Sequence, residues 1–251
     1  SLSSTISVAA QLQENMAYIG RRYGAKKFIA YFQNYTNTYM PYDIFKNYME
    51  AACIENILEL DISTRPDCID SKHLDILKEI SEGKNVNIVI ELGLQTTNET
   101  SLIRINRGHD VQSYIDAVTL IHSYGFAVCT HLIMNLPWDQ DEEVIKMAAL
   151  MNSLNIEMIK LHSLYIAKGT VFEEQYLAGV FQMNTLESYV DRVVTFLGHL
   201  DPQCAVQRLV GRAPKEDTVF CNWGLSWWKI KDLIIEKMLN DDIAQGTMNE
   251  S

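Results

Sequence analysis

The sequence predicts an α/β fold built on a parallel sheet that closes into part of a barrel, and three observations carry that prediction. Apolar, β-branched segments alternate with segments of helical period from residue 5 to about 180, which is the pattern of parallel strands joined by right-handed crossovers. The segment NIVIELG is apolar almost throughout, as a strand buried on both faces is, yet Gln95 stands at its exit. Finally, polar residues an even number of positions apart recur in five strands: Tyr31 with Gln33, Glu59 with Asp61 and Ser63, Glu91 with Gln95 on either side of Gly93, Cys129 with His131, and Lys160 with His162. Residues two apart share one strand face. A sheet covered by helices on both faces has no use for such groups, since each one left unpaired costs about 1 to 3 kcal/mol. A barrel with a wet lumen does.

Taken in order, the pattern predicts a helix over 4–23, then strand 27–32, helix 42–53, strand 56–62 and helix 71–80, with Gly83 closing that unit. Strand 85–93, a short helix near 98–105, helix 111–123 and strand 126–134 follow. Asp139 stands where it could cap the helix after the NLPW turn. Strand 156–162 leads to helices near 170–178 and 185–199, a strand over 205–211, a terminal helix from about 225 and a polar tail, DDIAQGTMNES. The chain opens on a helix where βα architectures open on a strand, so a first strand and its loop are expected upstream. This divides the chain into a partial barrel, residues 1–180, and a C-terminal α/β extension, residues 181–251.

At 251 residues with a net charge of -11, the chain can bury a large core but offers no broad surface for phosphates, which need clustered Lys and Arg. Cys53, Cys68, Cys129, Cys204 and Cys221 form no CxxC pair and read as reduced thiols of a cytoplasmic protein. No signal peptide or membrane-length apolar run is present. Ligands of parallel barrels sit at the C-terminal strand ends, where Gln33, Ser63, Gln95 and His131 fall. Taken singly, Glu59, Asp61 and Glu91 read as ion-pair partners for Lys160 or an arginine; together, with Tyr31, Lys160 and His162, they read as the lining of a lumen.

Five segments in this order, YFQNYTNTY, STRPDC, ELGLQ with INRGH, CTHLIMNLP and KLHSLYIAKGT, give the chain a resemblance to radical S-adenosylmethionine (SAM) enzymes. The branch is that of the oxygen-independent coproporphyrinogen oxidases and the Elongator catalytic subunit, and within it the chain is most similar to the bacterial YhcC/YtqA-type family. The resemblance covers nearly the whole chain. It implies that Gln95 meets the SAM ribose and that Arg107 pairs with its carboxylate, which suits an amide that both donates and accepts and a planar guanidinium fork. His109 reads as a brace of the turn. By the same resemblance Gln33 and Asn34 replace the glycines of the turn that receives the SAM amino group. Ser63 replaces a ribose-binding glutamate, a role that can pass to Arg65 or Thr64. His131 stands beside the ribose or methionyl part, the NLP turn lines the adenine, and Tyr165 stacks near it.

The resemblance further implies a [4Fe-4S] cluster held by a CxxxCxxC loop. No such loop occurs in this sequence, so the cluster ligands are expected upstream of residue 1. In its complete form the protein is then expected to cleave SAM reductively to a 5'-deoxyadenosyl radical that abstracts hydrogen from a substrate in the lumen, a tRNA wobble uridine being the candidate. Flavodoxin or ferredoxin would be the electron donor, and this chain by itself would be inactive. A small RNA-facing patch is offered by Arg208, Arg212 and Lys215 beside Trp223, Trp227 and Trp228, although these tryptophans equally suit packing of the terminal helix. The alternative is a cluster-free barrel that binds a nucleotide-like ligand or a partner. For a metal-dependent hydrolase the sequence offers no HxH pair and no acidic cluster with ligand spacing beyond Glu59 and Asp61.

Overall fold

A computed structural model describes residues 6–33, 36–212 and 215–249, apart from the Lys215 side chain. In chain order the elements are α1 (Val8–Tyr23), β1 (Phe28–Phe32), α2 (Tyr42–Ala52), β2 (Ile57–Thr64), α3 (Ser71–Lys84), β3 (Asn87–Gln95), α4 (Glu99–Arg104) and α5 (Val111–Ser123). There follow β4 (Ala127–Ile133), α6 (Glu142–Ser153), β5 (Met158–His162), β6 (Ile166–Ala167), α7 (Val171–Leu177), α8 (Leu186–His199), β7 (Ala205–Arg208), β8 (Thr218–Phe220) and α9 (Trp227–Asn240). Six strands form one parallel sheet in the order β1-β2-β3-β4-β5-β7, a partial (βα) barrel, while β6 and β8 pair antiparallel. The strand-helix alternation read from the sequence is thus realised. The chain forms two compact units: the first runs to Gly93 and includes Gln112–Cys129, and the second comprises Leu94–Val111 and everything from Thr130 onward.

In the first unit, Ser7 caps α1 by accepting from the Ala10 N–H at 3.3 Å, and Gly24 ends the helix at φ 68°. Helix α2 buries Phe45, Met49 and Ala52, and α3 buries Leu74, Leu77 and Ile80, each set at the spacing of one helical face. Gly83 does not close α3. The helix runs through it to Lys84, and Asn85 makes the left-handed turn at φ 54°, because asparagine tolerates that conformation where most residues do not. The register pairs Tyr31 with Asp61 and Ser63 with Glu91, which sets the predicted polar positions on one face.

In the second unit α6 packs against α8, and α8 against α9; α6 buries Met147 and Met151, α8 buries Val193 and Phe196, and α9 buries Ile230 and Ile234. Asp139 is no helix cap. Helix α6 starts at Glu142, and the Asp139 carboxylate instead accepts the hydroxyls of the fully buried Thr96 and Ser101. Arg192, also buried, donates to the Asp139 and Met134 carbonyls and to the Asp141 carboxylate, so the loop 134–141 is tied to α8. The predicted strand over 205–211 ends at Arg208, since the next carbonyl, of Leu209, accepts from the buried Tyr189 hydroxyl at 2.7 Å. The polar tail is docked: the Gly246 and Met248 N–H groups donate to the Leu197 and Gly198 carbonyls, and Gln245 donates to the carbonyls of Asp201 and Cys204. No helix among the described residues is long and apolar enough to cross a membrane.

Candidate functional site

The second unit contains a cavity of about 510 Å³ whose polar lining includes Gln95, Arg107, His131, His162 and Tyr165. Ile133, Leu164 and Phe172 supply apolar wall. The local chain explains how residues twelve positions apart meet there. Gln95 ends β3 at φ 77°, and Asn98 caps α4 by accepting from the Ser101 N–H. This helix is only six residues long. Asn106 then turns left-handed at φ 51°, and the Arg107 N–H closes back onto the Leu102 carbonyl at 3.0 Å. The chain reverses, and Arg107 reaches the cavity that Gln95 lines. His109 lies beyond the turn with Nδ1 3.2 Å from the Asp110 carbonyl oxygen, the local bracing contact expected of it.

Strands β4 and β5 supply the imidazoles. His162 Nε2 lies 3.1 Å from His131 Nδ1, and the two rings stack at a centroid distance of 5.0 Å and 20° between planes. The NLP turn positions the opposite lip. The Met134 N–H donates to the His162 carbonyl, and the fully buried Asn135 accepts from the Leu164 N–H at 2.7 Å, which fixes the segment that presents the half-exposed Tyr165. The cavity therefore gathers a fixed cation, an amide, two imidazoles and a phenol against an apolar wall. Such a set can hold a zwitterionic ligand that carries a carboxylate and a hydroxylated, partly aromatic body.

In the first unit the expected lumenal residues form a hydrogen-bonded cluster. Both the Tyr31 hydroxyl, at 2.6 Å, and the Ser63 hydroxyl, at 2.9 Å, donate to one oxygen of the buried Glu91. Asp61 is buried, and burial raises the Glu59 carboxyl above its ordinary pKa. Arg65 engages Asp67 in a fork of two bonds, 2.9 and 2.6 Å. Thr64 shares a 2.5 Å hydroxyl bond with Thr38. Gln33 is exposed, and Asn34 lies outside the described residues. Lys160 is buried in the second unit.

Sequence reading passed over Ser163, Leu164 and Phe172, which line the cavity. Their place two residues before Tyr165, beside it, and seven after it was the only available signal. In the C-terminal patch, the Arg212 guanidinium lies 4.8 Å from the centroid of the Trp227 ring. Trp223 is engaged in packing: its Nε1–H donates to the Asn184 carbonyl and its ring meets those of Tyr189 and Phe220.

Comparison with known proteins bears on the family and the fold. Residues 6–151 match the profile described as the radical SAM superfamily, and residues 156–240 match that of the Radical_SAM C-terminal domain. The chain is 34% identical over 246 residues to the uncharacterized protein MJ0486 of Methanocaldococcus jannaschii, covering 97% of this chain and 76% of that protein. It is 32% identical over 221 residues to YtqA of Bacillus subtilis, covering 88% and 68%. A tRNA uridine(34) acetyltransferase of Methanocaldococcus infernus is 24% identical over 147 residues, covering 57% of this chain and 26% of that protein. The solved structure of the Elp3 protein of M. infernus superposes with a TM-score of 0.80 at 18% identity, over 95% of this chain and 59% of that one, which shows the shared fold.

The cysteines of this chain do not fit the expected [4Fe-4S] cluster. A cluster takes thiolates from closely grouped cysteines. Here Cys53, Cys68 and Cys129 lie in the first unit, widely spaced in sequence, and Cys204 and Cys221 in the second. Burial raises the Cys53 thiol and pushes that of Cys204 up to about 12, so both stay protonated. The donor set of the cavity, by contrast, fits S-adenosylmethionine.

Proposed function

The chain belongs to the radical SAM superfamily and is of the YhcC/YtqA type, and from that premise we propose that its cavity binds S-adenosylmethionine. The observation that carries this is the convergence of Gln95, Arg107, His131 and Tyr165 on one cavity, although Arg107 is separated from Gln95 by a helix. Arg107 takes the carboxylate, Gln95 the ribose hydroxyls, His131 the ribose or methionyl part, and Tyr165 the adenine. When bound, S-adenosylmethionine supplies the radical chemistry of the superfamily. The steps assigned to this chain are binding, orientation and the exclusion of water by Ile133, Leu164 and Phe172. In the first unit, Tyr31, Glu59, Asp61 and Glu91 are assigned to the substrate lumen. We propose tRNA uridine as the substrate class, which the tRNA uridine(34) acetyltransferase relative supports.

Calorimetry with S-adenosylmethionine tests the site. Arg107→Ala should weaken binding roughly tenfold to a hundredfold, as a charge-assisted pair contributes about 1.5 to 3 kcal/mol. Arg107→Lys should recover part, since an ammonium lacks the fork. Unchanged affinity in Arg107→Ala would overturn the assignment. A second reading is a binding module for a nucleotide-like ligand. 5'-Methylthioadenosine, which keeps the nucleoside and lacks the carboxylate, separates the two: a nucleoside-binding module takes it as well as S-adenosylmethionine, whereas the site proposed here binds it more weakly.

A further inference from the structure

His162 carries more structural support than a wall residue of a cavity requires. A Cβ at Gly211 would stand 3.0 Å from His162 Nδ1, so the ring lies against a residue that has no side chain. The Gly211 carbonyl accepts from the Asn222 side-chain amide at 3.0 Å, and the oxygen of that amide accepts from the hydroxyl of Ser163, the residue after His162. Asn222 is 3% exposed. The amide therefore clamps the segment behind the ring to the segment that carries it. It is aimed there by a run of left-handed backbone, with φ of 48° at Asn222, 50° at Trp223 and 74° at Gly224. Asparagine tolerates that conformation, but a tryptophan holds it only where its surroundings compel it, and such strain collects at functional sites.

We propose that His162 is a positioning residue for His131. The Gly211–Asn222–Ser163 clamp holds the His162 ring, the ring engages Nδ1 of His131, and that contact fixes the tautomer and plane that His131 offers to a bound nucleoside. An imidazole free to rotate could exchange its donor and acceptor nitrogens, and with them the ribose or methionyl group it suits. His162 also lines the cavity, but the role proposed for it is exerted through His131. This rests on the assignment of the cavity to S-adenosylmethionine, but the state of the His131 ring can be read without any ligand.

The experiment joins nitrogen-resolved NMR of the imidazoles to calorimetry with S-adenosylmethionine. His162→Phe keeps a ring to stack and removes the nitrogen, and His162→Gln returns a polar group. In the ligand-free protein, His131 should show one dominant tautomer, a mixture in His162→Phe, and partial recovery in His162→Gln. Gly211→Ala, which leaves both histidines in place, should produce the same mixture and serves where His162→Phe fails to fold. Affinity should fall about threefold to tenfold in His162→Phe, the range of a single hydrogen bond, and should not fall further when His131→Ala is already present. Equal losses in both backgrounds, or a His131 spectrum indifferent to His162, would overturn the proposal. Should the protein fail to bind S-adenosylmethionine, the ligand assignment falls and the spectrum alone decides the pairing of the histidines.

Discussion

Gln95 lies in the cavity wall with φ of 77°, a left-handed conformation that disfavours a side chain by roughly 1 to 2 kcal/mol. A glycine would relieve that and lose more freedom on folding, so Gln95→Gly should leave stability within about 1 kcal/mol of the parent while lowering affinity for S-adenosylmethionine. Thermal unfolding beside calorimetry checks this, and a large loss of stability would mean that the glutamine serves the fold. The polar exit from an apolar strand made Gln95 visible in sequence. Asp139 was misread as a cap because its partners Thr96 and Ser101 lie 43 and 38 positions away, and local pattern does not report distant acceptors. Its burial raises its carboxyl pKa, against the two hydroxyl bonds that lower it. A raised folded-state value means that the contribution of the protonated form is present below the unfolded value of 3.8 and is lost as pH rises through the folded one. Asp139→Asn, which cannot ionise, should therefore gain stability relative to the parent as pH climbs from about 4 to 7. Denaturant titrations across that range decide it, and a constant difference would show no such linkage.

The elements of long period, α2, α3, α5 and α8, were legible to within a few residues because each buries one face. The pairing of β6 with β8 was not, since two and three residues are too few to display a period. The tail was read as merely polar because its attachment is made by backbone groups, by the Gln245 side chain on distant carbonyls and by two glycine contacts, which composition does not record. Those glycines differ. At Gly246, with φ of 82°, an added Cβ would stand 2.7 Å from Pro202 Cδ and 3.2 Å from the Leu200 carbonyl oxygen. At Gly198 it would meet the Met248 sulfur at 2.6 Å, the far end of a flexible side chain. Gly246→Ala should thus destabilise by roughly 1 to 3 kcal/mol and Gly198→Ala by less than about 1, because a rigid ring and backbone cannot yield and a methionine can. Equal effects in chemical denaturation would show that the tail adds little to the second unit.

For the molecule as a whole, alternation of strand and helix was enough to announce a parallel sheet, and the polar exits Gln95, His131 and His162 fall on one cavity. The sequence did not show which polar residues would share a cavity and which would satisfy each other, as Tyr31, Ser63 and Glu91 do, because that depends on register and on where each turn reverses the chain. The cavity of the second unit also crosses a boundary that the family profiles draw. Gln95, Arg107 and His131 fall within residues 6–151, whereas His162, Tyr165 and Phe172 fall within 156–240. Neither stretch encloses the cavity by itself. A recombination that exchanged one without the other would splice two half-sites, so a chimera carrying residues 156–240 of a relative would inherit that relative's lip and imidazole brace together with its own arginine, and its ligand preference would be a compromise between two parents.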